Sequence, residues 1–156
     1  MTDSLSSDTT LNALASPLWG KVDGQLTSTT MPLLNADQLT LLAYCILREQ
    51  LLEGGFVQLI QNGYGDFIFH NPFARAMRQW GLNDFSKWLY KARKVYDKTR
   101  DQLIIPTIDQ QEFMALYEQY PEWDLFDDEF IETEPLITNS ICEAYSKISH
   151  NSESTP

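Results

Sequence analysis

Residues 35–55 read NADQLTLLAYCILREQLLEGG, and this stretch decides the fold. Asn35 can cap a helix with its side-chain oxygen, and Gln38, three residues on, can answer with its own amide, a capping box. Behind the cap, Leu39, Leu41, Leu42, Ala43, Cys45, Ile46, Leu47, Leu51 and Leu52 fall almost all the way round the predicted helix. A helix that is apolar on nearly every side belongs in the middle of a bundle. Gly54-Gly55 supplies its C-terminal stop.

The flanking sequence repeats the helical signal and gives little sign of strands. Phe56, Leu59 and Ile60 predict a short second helix closed by the turn Asn62-Gly63-Tyr64-Gly65. Asn71-Pro72 reads as a cap and first-turn proline ahead of Phe73, Ala76, Met77 and Trp80. Asn83 reads as the cap of a stripe formed by Phe85, Trp88, Leu89, Ala92, Val95 and Tyr96. Asp109 and Glu112 suggest another capping box before Phe113, Leu116, Tyr117 and Tyr120, with Pro121 as a break. Trp123, Phe126, Phe130 and Ile131 share one side of a further helix, and Pro135 reads as the opening of a last one. The expectation is an all-α, single-domain irregular bundle of six to seven helices. Residues 1–34 are expected to hold a tail, a short helix near Leu11 to Trp19 and a loop. Residues 35–148 form the helical core, and 149–156 a disordered tail.

The chain has 156 residues, 43% hydrophobic and 12% aromatic, enough for a real core without staples. Cys45 and Cys142 sit within apolar patterns and read as inert core thiols. No apolar run approaches membrane-spanning length and no leader pattern is visible, so a cytoplasmic location is expected.

The net charge of −11 is strongly polarised along the chain. Residues 75–100 hold eight bases against two acids, whereas residues 101–146 hold twelve acids and no base. Lys87, Lys91, Lys94 and Lys98 recur at helical spacing away from the aromatic stripe. Asp124, Asp128 and Glu132 recur every four residues, with Asp127 three after Asp124. Like charges so placed repel within a helix, which points to a solvated face, to neutralisation by the basic stripe, or to an external basic partner. Direct binding to nucleic acid or an anionic membrane is disfavoured by the charge. Carboxylates at i and i+4 lie about 6 Å apart along a helix. Such an edge can therefore occupy the surface with which a DNA-binding protein holds closely spaced phosphates.

Signals for chemistry are lacking. Only His70 and His150 are available, no glycine-rich phosphate loop occurs, and the acids lack calcium-loop alternation. The chain is read as a non-enzyme without cofactor or metal.

One further segment stands apart: Glu53-Gly54-Gly55-Phe56-x-Gln58-x-x-x-Asn62-x-x-Gly65-Asp66. Gln58 and Asn62 share a helix face, where their amides can tie a helix end to the core or line a small pocket. This stretch resembles the signature of a bacterial DNA-mimic protein family, a C-terminal domain family of largely unknown function. Asp127-Asp128-Glu129-Phe130, followed by Glu132 to Tyr145, resembles the family's second block, and the likeness spans roughly residues 35 to 148. The resemblance implies an all-helical fold. For the member that gives the family its name it implies an acidic surface that imitates duplex DNA, and a dimer that holds a transcription regulator away from its operator.

The expected function is thus an acidic protein-interaction module, a DNA mimic for the basic face of a DNA-binding regulator, with a homodimer as one form. The expected partner-binding residues are Glu112, Glu118, Glu122, Asp124, Asp127, Asp128, Glu129, Glu132 and Glu134. Gly54, Gly55, Phe56, Gln58, Asn62 and Gly65 are expected to be structural. The alternatives are an immunity- or antitoxin-like inhibitor of a basic toxin and a small-molecule-binding domain around Gln58 and Asn62.

Overall fold

The predicted central helix is present and is the hub of the bundle. In the computed structural model, α2 (Ala36–Glu53) starts with the expected reciprocal cap: Gln38 N–H donates to Asn35 Oδ1 at 2.8 Å, and Asn35 N–H to Gln38 Oε1 at 2.9 Å. Leu41, Leu42, Tyr44, Leu47 and Leu51 are buried, and α1 (Asp3–Lys21), α3 (Gly55–Gln61) and α8 (Pro121–Ser154) pack around them. The structure describes the backbone of residues 3–103 and 109–154. Among these, α4 (Gly65–Phe69), α5 (Phe73–Gln79), α6 (Asn83–Leu103) and α7 (Gln110–Gln119) complete an all-α domain, with a 3-10 turn at Met31–Leu33.

The core is rich in aromatic rings. Phe56 lies at its centre, 4.7 Å from Trp123, 5.6 Å from Trp88 and 5.7 Å from Phe69, centroid to centroid. Phe69 in turn stacks on Tyr96 at 4.9 Å. These contacts join α3, α4, α6 and α8, adding roughly 0.5–1.5 kcal/mol per aromatic pair beyond the area they bury.

Several local expectations are corrected. Helix α1 begins at Asp3, well before Leu11, because Leu11, Ala15 and Leu18 pack on the bundle and Asp8 pairs with Arg48 of α2 at 2.8 Å. Helix α8 likewise continues to Ser154, into the stretch assigned to a disordered tail. Asn71 does not cap α5; its amide donates to the Phe67 carbonyl at 3.0 Å and so closes α4. Half of the expected box at α7 is seen, Glu112 N–H donating to Asp109 Oδ1 at 2.8 Å. The side chains of Phe113, Leu116 and Tyr117 lie outside the described residues.

The largest correction is at Pro135, which opens no new helix and lies inside α8. A proline there removes one helical hydrogen bond and crowds the carbonyl four residues back. That carbonyl belongs to Ile131, a residue 54% exposed, so solvent can take it. Packing on both sides of the proline outweighs the local cost. Trp123, Phe130, Thr138, Ile141 and Tyr145 are all buried along one stripe that runs through it.

A polar chain fixes the same region. Thr138 Oγ1 donates to Glu134 Oε2 at 2.5 Å, so the Tyr44 hydroxyl, 2.7 Å from Thr138 Oγ1, donates to it in turn. Arg48 Nε donates to the same Oε2 at 3.0 Å. The buried hydroxyls of Tyr44 and Thr138, between α2 and α8, are thereby paired, as burial demands. Replacing Pro135 by Ala restores the missing donor, and Pro135→Ala is expected to raise unfolding stability by about 1–3 kcal/mol. Urea denaturation monitored by circular dichroism measures the change, and a loss of stability would show that the ring itself is needed.

Candidate functional site: an acidic helix face anchored by a glycine motif

Helix α8 carries eight acids between residues 121 and 143 and no base. The helix sorts them by direction, since residues on a period of 3.6 alternate between the bundle and the solvent. Asp128, Glu129 and Glu132 are exposed, Glu122 is 43% exposed, and Asp124 is half-buried at the edge. Asp124, Asp128 and Glu132 form a row spaced by about 6 Å along the axis. Among the described residues these three have no cationic group within ion-pairing distance. On α7, Glu112 and Glu118 are exposed as well.

Two of the expected surface acids face inward. Asp127 is 3% exposed, and its Oδ1 accepts the Phe56 N–H at 2.9 Å. Glu134 is spent on Arg48 and Thr138 in the polar chain above. Both fall on the buried stripe with Trp123, Phe130 and Ile141, at spacings of three or four residues. The period that makes Asp124, Asp128 and Glu132 a row turns Asp127 away from it.

The basic stripe neutralises little of the acidic face. Lys87, Lys91, Lys94 and Lys98 are all exposed, and Lys98 reaches Glu122 at 3.8 Å. An ion pair that exposed is worth about 0–1 kcal/mol.

The glycine motif is the platform that holds α8 in place. Gly55 has φ +79°, a backbone state that favours glycine, and a Cβ built there would collide with the Asp127 carboxylate. The missing side chain thus lets a buried carboxylate of α8 reach the first turn of α3, whose N–H groups have no partner within the helix. Phe56, the next residue, makes the centre of the aromatic core. Gly65 plays a parallel part: a Cβ there would strike the Tyr96 ring, and the Tyr96 hydroxyl donates to Asp66 at 2.6 Å. That hydrogen bond is the largest reason the Asp66 carboxyl lies below its ordinary range, with Arg100 and His70 adding to it. The small stability it lends is present above the unfolded pKa and is lost as pH falls through the lower folded one.

The amides behave as ties. Gln58 Nε2 donates to Gln50 Oε1 at 3.1 Å and to Glu53 Oε1 at 3.2 Å, while Asn62 Nδ2 donates to the same Gln50 oxygen at 2.8 Å. Gly54 leaves the room that the Gln58 side chain occupies. Together they lash α3 back onto the last turn of α2. His70 sits between Asp97 at 2.8 Å and Asp66 at 3.2 Å. Burial pushes the thiols of Cys45 and Cys142 up to about 12 and about 11, so neither is a thiolate at neutral pH. No described helix is long and apolar enough to cross a membrane.

The family model for DMP19-like protein matches residues 32–151, which include both the glycine motif and the acidic block. The chain belongs to the DMP19-like protein family. It is similar to the DNA mimic protein DMP19 of Neisseria meningitidis serogroup B, with 35% identity over 121 residues covering 75% of this chain and 73% of that protein. The DMP19-like region takes in the whole platform, from the 3-10 turn before α2 almost to the end of α8.

Sequence reasoning missed two features of this surface. Glu129 accepts the Trp88 indole N–H at 3.2 Å, and Leu136, 75% exposed, stands out of the acidic face beside it. The second was visible as an apolar residue in phase with Glu129 and Glu132, once α8 is read as one helix. Gly55→Ala is expected to lower stability by about 2–4 kcal/mol, combining backbone strain with displacement of the Asp127 carboxylate. Chemical denaturation checks it, and a cost near zero would mean that Asp127 does not need the vacant position.

Proposed function

We propose that this chain is a DNA mimic: its α8 face offers Asp124, Asp128, Glu129 and Glu132 to the basic surface of a DNA-binding protein, with Glu112, Glu118 and Glu122 extending the field. The observation that carries this reading is the row on α8 that no cation pairs among the described residues. Fixed carboxylates about 6 Å apart cost their partner little reorganisation, and a protein built to neutralise phosphates presents Lys and Arg in the complementary pattern. Family membership supports it, since the Neisseria relative bears the name of a DNA mimic.

Asp127 and Glu134 are assigned to the scaffold in this proposal. The partner is a DNA-binding regulator, and a homodimer of this chain would set two acidic faces side by side. Charge of this kind steers encounter as well as stabilising the complex, so both affinity and association rate should fall with salt.

The triple variant Asp124→Asn/Asp128→Asn/Glu132→Gln tests the reading against DNA-binding proteins captured from the same cell at low salt. Because the three side chains hold no ion pair among the described residues, folding should be unaffected while affinity drops roughly tenfold or more. Binding that is indifferent both to the triple variant and to salt contradicts the proposal.

A further inference from the structure

The acidic face of α8 borders an apolar groove. On one side of Leu136 lies a cavity of about 410 Å³ floored by Phe85, Trp88 and Ile137. On its other side lies one of about 400 Å³ lined by Trp80, Leu82 and again Ile137. Leu136 and Phe85 belong to both, so the two are halves of a single groove between the N-terminal end of α6 and the 129–147 stretch of α8, with Leu136 as a ridge. The rim carries Asp84, Glu129, Glu132 and Glu143 against a single base, Lys147, at one end.

We infer that this groove receives an amphipathic basic helix of a partner protein, which sets two apolar side chains on either side of Leu136 and Lys or Arg against the rim. The inference rests on the reading of this chain as a receptor for basic proteins and gives that reading a specific anchor. Charge complementarity selects the occupant: four carboxylates against one ammonium exclude phosphates, nucleic acid and lipid headgroups, and the aromatic floor demands apolar groups between the cations. The walls are helices, which offer no open strand edge for an extended peptide to pair with. From residue 129 to residue 147 the groove wall runs about 27 Å, room for about five turns of a docked helix. Two anchors straddling Leu136 then fall about two turns apart, at i and i+7. The Trp88 indole is held ready by its hydrogen bond to Glu129, so the floor is formed before the partner arrives.

The groove explains what carboxylates alone do not. A phosphate-like row attracts any cationic surface, whereas an apolar slot beside it accepts only a cationic helix with correctly spaced anchors. Specificity would come from the slot and encounter from the charge.

The test uses the full chain and two synthetic helical peptides of about 18 residues, free of tryptophan, identical in Lys and Arg content. One carries Leu at i and i+7 and the other Ser at both places. Binding is followed by calorimetry and by the fluorescence of Trp80 and Trp88, at about 50 and about 300 mM salt. The Leu peptide is expected to bind roughly tenfold or more tightly than the Ser peptide, and to shift the fluorescence. Leu136→Ser, an exposed position, should erase most of that preference, and Ala144→Phe, which fills the second cavity, should do the same. Asp124→Asn/Asp128→Asn should weaken both peptides alike.

Equal, salt-sensitive binding of the two peptides would overturn the groove and leave the acidic-surface reading standing. Failure of both peptides to bind would overturn the two together. A Leu136→Ser variant that keeps the preference, or one that merely turns a dimer of this chain into a monomer in sedimentation, would also overturn the assignment.

Discussion

A single buried carboxylate organises this molecule. Asp127 reaches out of α8, passes through the space that Gly55 leaves empty, and takes the backbone N–H of Phe56. Leaving a buried hydrogen-bonding group unpaired costs about 1–3 kcal/mol, so this contact is held firmly. The bond therefore fixes three things at once: the sharp junction between α2 and α3, the position of Phe56 at the aromatic centre, and the rotation of α8 about its own axis. That rotation decides which acids meet solvent. With Asp127 and Glu134 locked inward, Asp128, Glu129 and Glu132 must face out.

The glycine motif and the acidic block are thus two halves of one contact, although 71 residues separate them. Function, in this account, grows from the scaffold's geometry. A rigid row of like charges repels itself and is costly to hold in a flexible chain. Here the cost is met by the buried stripe of the same helix, Trp123, Phe130, Thr138, Ile141 and Tyr145, clamped against α1, α2 and α3. The apolar ridge at Leu136 stands on the same rigid support.

Much of this was legible in the sequence, and what was not has a physical cause. The capping box at Asn35 and Gln38 is local, four residues long, and could be read with no knowledge of tertiary structure. So could the concentration of acids after residue 101. The reading failed where long-range packing overrules local chemistry. Pro135 is a helix breaker by propensity, yet the stripe from Trp123 to Tyr145 keeps its helical period straight through it, and that unbroken period was the available signal. Asp127 was grouped with its charged neighbours because it resembles them in composition. Its spacing of four from Trp123 and three from Phe130 places it among the buried residues instead. The role of Gly55 could not be derived from spacing, since it depends on a side chain brought close only by folding.

Asp127 and Asp128 are adjacent, chemically identical and assigned opposite duties, so they provide the sharpest comparison. Amide hydrogen exchange at Phe56, followed by NMR in the Asp127→Asn and Asp128→Asn variants, measures the anchor directly. The account predicts faster Phe56 exchange in Asp127→Asn, with Asp128→Asn matching the parent. Equal protection of Phe56 in both variants would contradict it.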